Sequence, residues 1–204
     1  MQFTNQKEEA PFAFYRERFI ASNPAEISAR LGVPFENGAF TVTLLGTTYR
    51  ISHPDCDFTD DKENALGVTS LTVQVLLLRL LLLGKPAPET DDFKSFCELP
   101  WGEVYQKPFS GRILNRAAFT FGTRLNDFRR AAEKLGGKPI SQGDAAYEFS
   151  FTENYRLRLI LWEADDEFPP SAQVLYSANF PLGFSADDRV IAAETLLNSL
   201  KQLI

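Results

Sequence analysis

Residues Thr69 to Gly84 read TSLTVQVLLLRLLLLG and limit the fold more than any other stretch. Between Leu71 and Leu83 the polar residues are Thr72, Gln74 and Arg79, and nothing in the run breaks a helix. Thr69 or Ser70 can cap its start, and Gly84 followed by Pro86 can stop it. A helix apolar on nearly every side is buried in protein or in lipid. At ~1.5 Å per residue it reaches ~20 Å, short of a ~30 Å hydrocarbon layer. Arg79 at its middle argues further against a membrane span. The run therefore reads as the central helix of a soluble fold.

A chain of 204 residues with 44% hydrophobic residues and 18 Phe can pack one substantial core, so global disorder is excluded. The formal charge of −6 and a pI near 4.9 disfavour nonspecific binding to nucleic acid or an anionic membrane. The charge is uneven. From Lys107 to Lys138 there are eight Lys or Arg against Asp127 and Glu133, a local +6. That segment either neutralises acids of the same molecule or presents a basic face to an acidic partner or anionic ligand. Cys56 and Cys97 stand alone, and MQFTNQKEEA lacks the features of a signal peptide, so the expectation is a reducing cytoplasm.

Along the chain, Gln6 to Ser22 reads as a helix with Phe12, Tyr15, Phe19 and Ile20 on one face. Asn23-Pro24-Ala25-Glu26 starts a short helix through Leu31, which Gly32 ends. Ala39 to Leu45 alternates as a strand, and Thr47 to Ser52 returns across a Leu45-Gly46 turn. His53 to Gly67 is expected as a polar loop. Lys85 to Asp92, rich in Pro and acids, is the best place for a domain boundary, but the central helix needs cover from both halves. Phe93 to Phe109 is expected as irregular chain or short strands. Ser110 to Phe121 and Thr123 to Leu135 are expected as amphipathic helices broken at Gly122. Ala145 to Thr152, Tyr155 to Glu163 and Ser171 to Tyr176 form a three-strand meander. Asp187 to Leu203 closes the chain as a helix with Val190, Ala193, Leu196, Leu197 and Leu200 inside. Tight turns require antiparallel pairing. The expected fold is a single α+β domain over 1–204: an N-terminal hairpin and a C-terminal meander packed with helices around the buried leucine helix.

Sites are harder to read. Asp55 to Glu63 packs five acids into nine residues, but an EF-hand loop starting at Asp55 needs glycine sixth and glutamate twelfth, where Asp60 and Leu66 stand. A solvated loop is expected. His53 is the sole histidine, so a histidine metal cluster is excluded, and a thiol–imidazole pair with Cys56 or Cys97 is a weak signal. The turn from Trp162 to Pro170 gathers Glu163, Asp165, Asp166 and Glu167, which repel unless solvated, bound to a cation or facing a basic surface. Two of them could also divide acid and base duties, as in glycoside hydrolysis. Arg112 to Lys134 is the expected basic partner, and Asp144 is expected to shape the entry to the first meander strand. Phosphate-loop, dinucleotide and serine-hydrolase glycine motifs are absent.

Gly143-Asp144-Ala145-Ala146-Tyr147, the run from Leu159 to Pro169, and Val174-Leu175-Tyr176 together resemble a family known as domain of unknown function 3786. Tyr15 to Val33 and Ser95 to Phe109 are similar as well, and the acid-Glu-Phe-Pro turn is the most specific part. The resemblance implies a cytoplasmic protein of anaerobic prokaryotes, fused in some members to a four-cysteine iron–sulfur module, and a loose link to one-carbon or corrinoid metabolism. This chain lacks that module. It departs from the pattern at Cys97, where arginine is expected, and at Trp101, where glycine is expected. The family supplies no catalytic residue to carry over.

The leading expectation is a non-catalytic binding or accessory module for a protein partner or small ligand. Its face would combine the aromatic corner Phe96, Trp101 and Tyr105 with the acidic turn Glu163, Asp165, Asp166 and Glu167. The alternative is a carboxylate-dependent enzyme or divalent-metal protein built on residues 163–167. A third expectation is regulation by self-association through the leucine helix. The sequence names no cofactor.

Overall fold

A computed structural model describes residues 6–61 and 69–204. The chain packs as two compact units, one of Met1–Ala87 with Leu182–Phe184, the other of Pro88–Pro181 with Ser185–Ile204. The divide falls in the Pro- and acid-rich stretch between Lys85 and Asp92. Both units join helices to an antiparallel sheet, so the fold is α+β.

In the first unit, helices α1 (Gln6–Ile20) and α2 (Pro24–Leu31) precede strands β1 (Phe35–Glu36), β2 (Ala39–Leu44), β3 (Thr47–Ser52) and β4 (Phe58–Asp60), which pair in chain order. Asn23 caps α2 by accepting from Ala25 N–H, and Gly32 ends it at φ 71°. Between β2 and β3, Leu45 and Gly46 both take positive φ, 48° and 71°, the backbone a two-residue hairpin with native twist requires. The alternation buries Phe40, Val42 and Leu44 against Tyr49 and Ile51. Two expectations are corrected here. The stretch after His53 is not all loop, because Phe58–Asp60 pairs with β3 as a fourth strand. Ile20 sits on the outer side of α1, whereas Phe19 is fully buried against Phe40. Residues 62–67 of the expected loop, including Glu63 and Leu66, lie outside the described residues.

Helix α3 (Leu71–Leu83) matches the leucine run residue for residue. Ser70 Oγ accepts from Val73 N–H, and Gly84 N–H closes the last turn on Leu80 O. Leu76, Leu77, Leu78 and Leu81 are wholly inaccessible. Full burial contributes roughly 1.5–3 kcal/mol per leucine, which is why so apolar a helix is tolerated. Arg30, from α2, donates to the carbonyls of Gly84 and Leu81, the latter at 2.6 Å, and so serves the C-terminal acceptors that α3 cannot pair itself. Arg79 lies over the Tyr15 ring, 5.5 Å from its centre.

The second unit holds a five-stranded sheet in the spatial order Phe93–Ser95, Ser171–Ser177, Tyr155–Trp162, Ala145–Thr152, Lys138–Pro139. Strands β7 (Ala145–Thr152), β8 (Tyr155–Trp162) and β9 (Ser171–Ser177) are the expected meander, widened by two short edge strands, β5 (Phe93–Ser95) and β6 (Lys138–Pro139). On this sheet Glu148 bridges Arg156 at 2.9 Å and Arg158 at 2.8 Å, and Arg158 lies 3.6 Å over the ring of Phe93 on β5. The stretch expected to be irregular up to Phe109 is instead helical from Gly102. Helix α4 (Gly102–Phe109) runs through a wide π turn (Ser110–Asn115) into α5 (Arg116–Phe121). Helix α6 (Leu125–Lys134) follows the Gly122 break. Helix α7 (Ala186–Lys201) opens with a capping box in which Ser185 and Asp188 serve each other's backbone N–H. Ala193, Leu196, Leu197 and Leu200 are buried as expected, and Val190 is half-buried.

Candidate functional site

The second unit's largest fully buried side chain is Arg189 on α7, which sequence reading missed. Its guanidinium donates to Pro100 O and sits 5.7 Å from the centre of the Phe96 ring. Burial lowers its pKa below the usual arginine value. Phe96 stacks on Phe109 with centroids 4.0 Å apart and planes 3° from parallel, and Tyr176 donates to Arg189 O at 2.8 Å. Phe96 is thus a support beneath the corner, only 1% exposed, rather than part of its outer face. Above this platform Gly102 packs so tightly that a Cβ would lie 1.8 Å from Phe96 O.

These contacts hold Trp101 in place. Its φ is 65°, in the left-handed region an aromatic residue enters only under constraint, and its side chain is 76% exposed. Val104 at 69% and Tyr105 at 40% share its helix face three and four residues on. Among the described residues no ring or cation contacts Trp101. Beside it opens a shallow groove of about 420 Å³, walled from Cys97 to Val104, whose charged lining residues are Glu98 and Glu103. Glu98 accepts from Ser95 N–H at 2.8 Å and from Ser95 Oγ at 2.5 Å, and these bonds hold its carboxyl below the usual range. Val104 and Glu103 were passed over in the sequence because nothing marked 102–109 as a helix.

The acidic turn is a separate place. Asp165 Oδ1 accepts from Glu167 N–H at 2.9 Å and from Phe168 N–H at 2.6 Å, so this carboxylate shapes its own turn. Asp166 and Glu167 are exposed. Asp144 shapes the strand entry as expected, with Oδ2 accepting from Glu163 N–H at 2.8 Å. Asp144 and Glu163 line a second open groove of about 430 Å³ together with Arg124, Asn126, Asp127 and Arg129 at the start of α6. The two grooves share no residue. The basic helices do not pair with the turn: Arg112 and Arg116 bridge Glu194 on α7, Arg130 bridges Asp127, and Arg129 donates to Asp144 O at 2.7 Å. Arg112, Arg116 and Arg130 thus meet acids other than those expected, while Arg124 and Arg129 donate to backbone carbonyls.

The thiols and the imidazole are engaged elsewhere. His53 Nε2 lies 3.1 Å from Phe19 O, with the ring edge-on to Phe19. Cys56 is buried, which pushes its thiol up to about 11 and keeps it protonated at neutral pH. Cys97 Sγ lies 3.3 Å from Ser95 Oγ. Among the described residues no three His, Cys, Asp or Glu side chains group to hold a metal ion. In the acidic stretch after His53, Asp61 Oδ1 accepts from Thr48 N–H at 2.9 Å. No described helix is long and apolar enough to cross a membrane.

The family model for the domain of unknown function DUF3786 matches residues 23–199. The chain belongs to that family. No curated protein and no solved structure matches. Within this DUF3786 chain the match spans the leucine helix, both sheets, the aromatic corner and the acidic turn.

Proposed function

We propose that the chain is a non-catalytic binding module that docks a partner protein through Trp101, Val104 and Tyr105. The observation that carries this reading is Trp101 itself, an exposed indole held in a strained backbone conformation by a buried platform. Local strain persists where the surroundings impose it, and such positions cluster at ligand clamps and switches. Tryptophan and tyrosine are the side chains that most often dominate interface energetics. A preset anchor also loses little freedom on binding. The partner suggested by the one-carbon or corrinoid resemblance is a protein of that metabolism.

The carboxylate alternative has less behind it. Asp165 is committed to the turn, Asp166 and Glu167 are exposed outside either groove, and Glu163 alone of the four lines the open groove with Asp127 and Asp144. The test is capture from cell extract on the immobilised full chain and on a Trp101→Ala variant with an unchanged melting curve. At least one protein retained by the first and lost from the second is expected. Identical eluates would overturn the reading.

A further inference from the structure

We infer that the segment docked at this corner is cationic: an arginine- or lysine-bearing stretch of the partner protein, its charge over the Trp101 indole and between Glu98 and Glu103. This rests on the binding-module reading and adds the chemistry of what is bound. The groove beside Trp101 combines an apolar wall of Leu99, Pro100 and Val104 with two carboxylates and no basic lining residue. Glu98 is ionised at neutral pH as an exposed carboxylate ordinarily is, and the Ser95 bonds, with the Lys94 charge nearby, favour that form further. Glu103, at the first turn of α4, has no hydrogen bond or ion pair among the described residues, so its carboxylate is open to an incoming group. Lys107, one turn further along α4, lies outside the groove.

Three features of the corner then favour one kind of side chain. An indole face is the best aromatic receptor for a cation, and Arg is the commonest guest. The carboxylates supply acceptors for a guanidinium or ammonium. The apolar wall suits the methylene stem that Arg and Lys lay along hydrophobic surface. An acidic or purely aliphatic segment would leave Glu98 and Glu103 facing like charge or stripped of water without a partner. The net charge of −6 steers a basic partner toward the whole molecule as well.

The experiment titrates the full chain, in a Trp162→Phe background so that Trp101 alone reports by fluorescence, with two synthetic peptides alike except that Arg in one is Glu in the other. The Arg peptide is expected to bind about tenfold tighter or better, with affinity falling as salt rises. Glu103→Lys and the gentler Glu98→Gln, which keeps an acceptor for Ser95, should each weaken it several-fold, by about 1 kcal/mol if the loss is fivefold. Equal binding of both peptides, or indifference to Glu103→Lys, overturns the inference. A dimer seen by sedimentation velocity and dissolved by Trp101→Ala also overturns it, in favour of a second copy as occupant. If a protein captured from extract depends on Trp101 but not on Glu103, this inference fails while the binding-module reading stands; if none depends on Trp101, the module reading fails first.

Discussion

At Trp101 the backbone carries a cost the side chain does not repay within the chain. A left-handed φ costs an L-residue roughly 1–2 kcal/mol, whereas glycine adopts it freely at an unfolded-state entropy cost of roughly 0.5–1 kcal/mol. Trp101→Gly is therefore expected to raise stability by about 1 kcal/mol, read as a higher urea midpoint at unchanged slope. Trp101→Ala removes the same indole but keeps a Cβ, so it should lack that gain. Both should lose partner binding, and a stabilised but non-binding glycine variant would mark the residue as kept for function. A Trp101→Gly protein no more stable than the alanine one would show that the platform imposes no strain. In the sequence, Phe96, Trp101 and Tyr105 were alike as aromatics near Pro100 and Gly102. Which ring turned inward depended on Arg189, nearly ninety residues on, so Phe96 could not be sorted from Trp101 by local pattern.

Among the elements, those with a strong period or a sharp stop were legible. The leucine helix, the Leu45-Gly46 hairpin and the β7–β9 meander carry their boundaries in capping residues, turn residues and alternation. Helix α4 was hidden because Gly102 and Pro108 are helix breakers by propensity; here Gly102 is required by the contact with Phe96 O. Strands β4, β5 and β6, two or three residues each, are too short to show a period and exist through pairing with a longer neighbour. The Arg30 contact was equally invisible, since it joins residues over fifty positions apart. Its removal has a defined expectation. Arg30→Met keeps the apolar stem but strips two donors from the carbonyl end of α3, at a cost of about 1–3 kcal/mol in chemical denaturation. Amide exchange should then quicken in the last turn of α3 before the rest of the helix. An unchanged denaturation midpoint would mean that water replaces the guanidinium without loss.

Across the whole molecule, the titrations resolved furthest upward belong to buried acids that ionise in alkali. Cys56 stands at about 11 against an ordinary 9.0, Tyr155 at about 12 against 10.0, and Tyr176 well above 10.0, each through burial. In every case the folded state holds its proton more tightly than the unfolded chain does. Stability from these groups is complete below the unfolded values, near 9–10, and is lost as pH rises toward the folded ones. Cys56 belongs to the first unit and the two tyrosines to the second, so neither unit escapes. The expected thermal midpoint is insensitive to these groups up to about pH 9 and declines steeply through pH 11. Cys56→Ala should remove the part of the decline that begins near pH 9 and leave the tyrosine part in place. Thiol labelling of the native protein at neutral pH supplies a second readout: Cys97, half-buried, should react well ahead of Cys56. A midpoint that holds level to pH 11 would place all three side chains in water, and two thiols that label at the same rate would place Cys56 there rather than in the core.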